Sequence, residues 1–256
     1  MSELKMEKVD PYMLGLHDAV LSGWYDQERG QLMTGFPVGP MDVVVDVGSG
    51  DGGAAAFCGR QGAHVILCDI DAARLEGAAA RVKAASECVP ETYVTDAAPL
   101  PLADGTASRV VCTEVLEHVD DPAAFMGELV RIGRPGALYL ITVPGAAQEH
   151  IQEVLAPPQY FQKPNHIRIF EQEEFHALIE SAGLVIEQRS AYGFFWSLWF
   201  AFFWQTEAPL GGTHPLLDAW AATWNQVLAG KDGLRIKAAL DRALPKAQVV
   251  VARKPA

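Results

Sequence analysis

Hydrophobic and polar positions alternate in two different rhythms along this chain. From Met41 onward, short continuous apolar runs recur: Val43–Val47, His64–Cys68, Thr92–Thr95, Arg109–Val115, Ala137–Val143, Leu184–Arg189 and Gln248–Arg253. Such β-branched runs read as strands buried on both faces. Between them lie segments of helical period: Ala54–Gln61, Ala72–Ala85, Pro122–Ile132 with Asp121 as its N-cap and Pro at its first turn, and Glu171–Ala182. Strands alternating with helices predict a Rossmann-like, doubly wound α/β fold with a seven-stranded, mostly parallel sheet and right-handed crossovers.

Two regions depart from this rhythm. Asp10–Arg29 carries Leu14, Leu16, Val20, Leu21, Trp24 and Tyr25 at helical spacing, which predicts a helical cap before Pro37, Gly39 and Pro40 break the chain. Gly193–Trp204 reads GFFWSLWFAFFW and holds eight aromatic residues. It is too short to cross a bilayer, and Ser197 is its polar relief. It reads as a buried core helix or a lid over an apolar ligand, with a membrane-surface or dimer contact as the competing reading. His214–Leu228 and Leu234–Leu244 continue as helices. The expected organisation is a single domain: residues 1–40 a helical N-terminal cap, 41–190 the core, 191–246 an aromatic helical insertion, and 247–256 the last strand.

Composition narrows the field. The net charge of −12 over 256 residues argues against long nucleic acid as a partner. Cys58, Cys68, Cys88 and Cys112 form no CxxC pair and read as reduced thiols. The start, MSELKMEKVDPY, is charged and lacks the apolar stretch of a signal peptide. No apolar run is long enough for a membrane span. The expected setting is the cytoplasm.

The candidate chemistry lies at the carboxyl ends of the strands. Asp46-Val47-Gly48-Ser49-Gly50-Asp51-Gly52 follows a buried strand and precedes a helix. Its spacing is GxGxG, not the GxGxxG of dinucleotide folds. Asp46 suits an ammonium group better than a phosphate. Asp69 closes the second strand, 21 positions after Gly48, where an acid can accept both hydroxyls of a ribose. Asp96 closes the third, within reach of an amino group on a base. Together these favour S-adenosylmethionine (SAM) over a dinucleotide.

The segments VVVDVGSGDGG, HVILCDID, YVTDAAPLPLADGTASRVVCTEVLEHVDDP and RIGRPGALYLITVP resemble the class I SAM-dependent methyltransferases, in particular the ubiquinone- and menaquinone-biosynthesis type, over roughly Met41 to Arg189. NHIRIFEQEEFHALIESAGL is similar to that group's downstream block. The resemblance implies that Asp46, Gly48 and Gly50 hold the methionine moiety, Asp69 the ribose, and Asp96 with Ala97 the adenine. Ser49, Ile70 and Glu114 complete the expected cofactor set. One departure is visible: Ser108-Arg109 stands where the group carries Phe-Asp.

For a hydroxyl acceptor the protein must supply a base. His118, His150 and His166 are the candidates, with His118 and His166 preferred as catalytic residues. Glu114, Glu117, His118 and His166 match in type and order the metal ligands of some relatives. Metal-free relatives carry the same pattern, so no metal is assigned. The expected function is methyl transfer to a small aromatic or apolar acceptor, more often at oxygen. A non-catalytic SAM- or partner-binding module and a nicotinamide-dependent oxidoreductase are the alternatives.

Overall fold

The computed structural model describes residues 9–206 and 208–256, so residues 1–8 of the expected cap lie outside it. The chain divides into two compact units. A sheet unit comprises Gly23–Val143, Phe170–Ser190 and Val249–Ala256. A helical unit comprises the segment ending at Ser22, Pro144–Ile169 and Ala191–Gln248.

In chain order the elements are α1 (Pro11–Leu21), β1 (Trp24–Asp26), β2 (Gln31–Met33), β3 (Phe36–Pro37), β4 (Val43–Val47), α2 (Gly53–Arg60), β5 (His64–Asp69), α3 (Ala72–Ala85), β6 (Glu91–Val94), β7 (Ala107–Thr113), α4 (Pro122–Ile132), β8 (Gly133–Pro144), α5 (Ala146–Leu155), α6 (Gln172–Ser181), β9 (Val185–Tyr192), α7 (Phe194–Phe203), α8 (Pro215–Ala229), α9 (Gly233–Ala243) and β10 (Ala247–Arg253).

The seven-stranded sheet has the order β6-β5-β4-β7-β8-β10-β9. Strand β4 pairs in parallel with β5 on one side and β7 on the other. The winding direction reverses between them, and ligands bind at the carboxyl ends of strands on either side of such a switch. The sheet's core is aliphatic: Val45, Val47, Ile66, Val110, Leu129 and Ile141 are fully or almost fully buried. The helix starts follow the sequence. Asp71 caps α3 by accepting the Ala73 and Arg74 amides, and Asp121 caps α4 by accepting that of Ala124.

The expected helix over Asp10–Arg29 is corrected. It stops at Leu21, and Gly23 at φ +99° turns the chain into the three-stranded antiparallel sheet β1-β2-β3. Gly30 and Gly35, also at positive φ, make its turns. The strand expected to begin at Ala137 begins earlier, with the segment Gly133–Gly136. That segment lies within β8, and the Gly136 amide donates to Lys254 O. Helix α5 was not anticipated.

The helical unit has a different core. Aromatic residues of α7, with Phe195 fully buried, cluster with Leu14 of α1 and with Leu217 and Trp224 of α8. The aromatic segment is therefore core in its own unit. At its base Lys237 of α9 is buried between two acids, 2.8 Å from Asp18 and 2.7 Å from Asp241. Asp18 also accepts the Trp224 indole hydrogen, and Asp241 the Phe194 amide. Burial still holds the Asp18 carboxyl above its ordinary range.

Ser108 and Arg109, the departure from the family pattern, sit at the amino end of β7. Ser108 Oγ donates to Asp42 Oδ1 at 2.8 Å, and Arg109 pairs with the same acid at 3.1 Å. The replacement is thus a local exchange of partners, made at the opposite end of the strand from Glu114.

Candidate cofactor and active site

The turn after β4 is pinned to its neighbour. Gly48 and Ser49 amides both donate to Cys68 O, and the Gly50 amide donates to Asp69 Oδ2 at 2.9 Å. Gly48, Gly50 and Gly52 all adopt positive φ. Their neighbourhoods differ. A Cβ on Gly48 would lie 2.3 Å from Val115, and one on Gly52 would lie 2.8 Å from Ala78. A Cβ on Gly50 would meet nothing closer than 3.9 Å. Gly48 and Gly52 are therefore dictated by the protein's own packing. Gly50 leaves bare backbone facing open space, where a ligand can approach.

Three acids gather here. Asp46 is fully inside, and burial together with the nearby Asp69 and Asp51 pushes its carboxyl up to about 7. Asp69 is also buried, and its two oxygens are spoken for by the Gly50 and Asp71 amides, which fix its orientation. Asp51 is exposed and paired with Arg81, so the buried Asp46 and Asp69 are the acids that favour a cationic ligand and repel a pyrophosphate. Ser49 Oγ is buried with no hydrogen-bond partner among the described residues. Next to Asp69, Ile70 is 72% exposed, an apolar side chain presented at the strand ends.

Two more expected residues carry a conformational mark. Ala97 and Glu114 are non-glycine residues at φ +64° and +56°; Tyr25 is the third among the described residues. The left-handed conformation costs roughly 1–2 kcal/mol for a residue with a Cβ, and such outliers cluster at ligand sites. Ala97 is buried and donates its amide to Thr95 Oγ1. Asp96 beside it is exposed and accepts the Ala98 amide. Glu114 follows β7, donates its amide to Thr142 O, and accepts the Thr142 hydroxyl at 2.8 Å.

Asp46, Gly48, Ser49, Gly50, Asp69, Ile70, Asp96, Ala97 and Glu114 thus all belong to the sheet unit and lie at or just after the carboxyl ends of β4, β5, β6 or β7. The sequence reading missed two contributors. Asp51 lies inside the glycine turn and adds to the field on Asp46. Thr142, the one threonine in the apolar strand ALYLITVP, holds Glu114.

Residues 45–141 match the family model described as a methyltransferase domain. This stretch is thus similar to a methyltransferase domain. The domain is similar to the ubiquinone biosynthesis O-methyltransferase of Sodalis glossinidius, 32% identical over 148 residues, covering 52% of this chain and 58% of that one. A second of that name, from Hahella chejuensis, is 37% identical over 103 residues, covering 39% and 42%. The chain thus spans only about half the length of the curated relatives it matches. In fold, the chain is similar to an S-adenosylmethionine dependent methyltransferase from Mesorhizobium loti, with a TM-score of 0.56, 16% identity, and 85% and 92% of the two chains covered. It is similar too to the [4+2]-cyclase SpnF, with a TM-score of 0.59, 17% identity, and 94% and 81% covered. Such a domain implies S-adenosylmethionine as the cofactor. The residues present fit it: an acidic trio for a cation, a bare-backbone approach at Gly50, a partnerless buried hydroxyl at Ser49 and an exposed apolar side chain at Ile70.

The histidines fall in different surroundings. His118 ends a 3-10 turn, Leu116–His118, directly after Glu114, with Nε2 3.7 Å from the buried Glu117. That distance is electrostatic contact and not a hydrogen bond. His166 belongs to the helical unit, where Nδ1 lies 2.6 Å from the buried Glu149, whose other oxygen accepts the Tyr160 hydroxyl at 3.3 Å. His150 is exposed on α5 and pairs with Glu153. Of the four residues matching the metal-ligand pattern, Glu114, Glu117 and His118 are in the sheet unit and His166 is in the helical unit.

Proposed function

We propose that this chain transfers a methyl group from SAM to an oxygen of a small aromatic or apolar acceptor. The observation that carries the reading is the acid Asp46, whose carboxyl is pushed up to about 7 by burial and by nearby acids of its own sign. The fold alone does not carry it, because a cyclase shares that fold. A nicotinamide cofactor would bring its pyrophosphate against this acidic turn, which disfavours the oxidoreductase alternative. The names of the curated relatives support oxygen as the methylated atom.

The protein's share of the work is placement and proton handling. Asp46 and the Gly48–Gly50 backbone hold the amino-acid end of the cofactor, Asp69 the ribose, and Asp96 with Ala97 and Ile70 the adenine. When bound, the cofactor supplies an electrophilic methyl on a sulfonium. Glu114 is fixed by Thr142 at the end of β7. His118, four residues on in the same unit, is the base that takes the acceptor's hydroxyl proton, and the neighbouring Glu117 carboxylate steadies the imidazolium that results. His118→Ala should lower kcat about 10²- to 10⁴-fold with SAM affinity unchanged, measured with radiolabelled SAM and a panel of phenols. A kcat that stays near the parent's would remove His118 from the mechanism. Absence of turnover with every acceptor, despite tight SAM binding, would favour a binding module.

A further inference from the structure

Helix α5 has its polarity inside out. Its buried residues are Gln148, Glu149 and Gln152, while Val154 on its outside is 83% exposed. None of its residues joins the aromatic core of the helical unit. A water-soluble helix normally does the reverse, and buried polar groups normally find partners. Glu149 has them in His166 and Tyr160. Gln152 Oε1 accepts the Trp204 indole hydrogen. The Gln152 amide nitrogen and both ends of Gln148 have no hydrogen-bond partner among the described residues. Helix α7, which packs on α5, adds two more buried groups in the same condition, Ser197 Oγ and Trp199 Nε1.

The chemistry of this set is specific. Gln148, Gln152 and Trp199 all offer N–H hydrogens, and no cation is among them. A carboxylate or phosphate would be buried without a counter-charge and close in sequence to Glu149, so an anion is disfavoured. The neighbouring rings are flat apolar surface: Trp199 stacks on Phe203 with centroids 5.2 Å apart, and Trp204 meets Tyr160 edge-on at 5.5 Å. We propose that the polar stripe of α5, with Ser197 and Trp199, binds an uncharged ring compound whose oxygens accept these hydrogens. That this ring is the methyl acceptor rests on the methyl-transfer reading; the binding site itself does not. Because α5 is held by few apolar contacts, it is also the element that yields to admit a ligand.

The test uses three probes on one ring system: naphthalene-2,3-diol, naphthalene and 2-naphthoate, each titrated by calorimetry into the full chain. The diol should bind saturably. Naphthalene should bind about tenfold more weakly or less, and naphthoate not at all. Gln148→Leu should weaken the diol about tenfold and also raise the melting temperature, because it removes an unsatisfied buried amide at nearly constant volume. Trp199→Phe should weaken the diol without lowering the melting temperature by more than a few degrees. SAM binding should stay within about twofold in both, since both residues belong to the helical unit and the glycine turn to the sheet unit. A lower melting temperature in Gln148→Leu would make that amide a structural group, and failure of the diol to bind would leave only buried water; either overturns the inference. Diol binding without any methylated product would instead support the site and count against the methyl-transfer reading.

Discussion

In the sheet unit, Asp46 is buried beside Asp69 and near Asp51, whereas in the helical unit Asp18 and Asp241 are buried around the shared ammonium of Lys237. Both arrangements put carboxylates where water does not reach. The helical triad is closed: every acid has the lysine plus an N–H donor, and its charge does structural work. The sheet-unit trio is open: its one ion pair among the described residues joins the exposed Asp51 to Arg81, and the buried Asp46 and Asp69 share in none. The difference separates charge that holds a fold together from charge that awaits a ligand.

The largest effect should come from breaking the closed triad. Lys237→Met strands two buried carboxylates and should cost about 3–5 kcal/mol, read as a shift in urea midpoint. Adding Asp18→Asn and Asp241→Asn should recover much of it. If the single substitution is neutral, the triad is not what ties α1 to α9.

Asp46→Asn tests the open cluster. SAM affinity should fall about 100-fold, roughly 3 kcal/mol. The stability of the ligand-free protein should move the other way. The folded-state acid titrates near 7 against an ordinary 3.8, so between those values the folded state binds more protons than the unfolded one. Stability then falls as pH rises through that window and levels off above about 7. Asp46→Asn should abolish this slope and raise the melting temperature at pH 8 while changing it little at pH 4. For the parent, SAM affinity should rise with pH up to about 7, because binding a cation requires the ionised acid. A flat profile would separate Asp46 from the cofactor's charge.

Two glycine substitutions sharpen the comparison within the turn. Gly48→Ala collides with Val115 and should cost the fold about 2 kcal/mol or more. Gly50→Ala meets open space, so its fold penalty should be limited to about 1 kcal/mol of backbone strain, while SAM binding suffers disproportionately. Equal effects on fold and binding at both positions would contradict the assignment of Gly50 as the ligand's approach. The smallest effect should be Ala97→Gly, which relieves a left-handed alanine and should change stability by less than about 1 kcal/mol, in the stabilising direction. Thermal melts with and without SAM would resolve all three.

The sheet unit was largely legible because its code is redundant. Apolar runs, glycine turns, capping acids and strand-end acids all repeat in phase, so the fold could be read before any coordinates, and Asp46, Asp69, Asp96 and Glu114 could be placed at the carboxyl ends of its strands. The helical unit lacks that redundancy. Helix α5 was invisible to hydrophobic periodicity for the reason that makes it interesting: the residues it buries are polar. The strand Trp24–Asp26 was read as helix because Leu21, Trp24 and Tyr25 continue the spacing of α1, although Gly23 was the available signal against it. The strained backbones of Ala97 and Glu114 leave no trace in residue type, and Glu149 as the partner of His166 depends on a contact 17 positions away.

The near-neutral acid at Asp46 has one more consequence. Under the proposed function the acidic trio would face a ligand bearing both an ammonium and a sulfonium before methyl transfer, and an uncharged thioether in place of the sulfonium afterwards. The same three carboxylates then have less positive charge to answer, and Asp46 regains a proton at neutral pH more readily. The turn after β4 would in this way act as a charge meter, gripping the loaded donor and loosening on the spent one, so that product exchange is driven by the reaction's own change of charge.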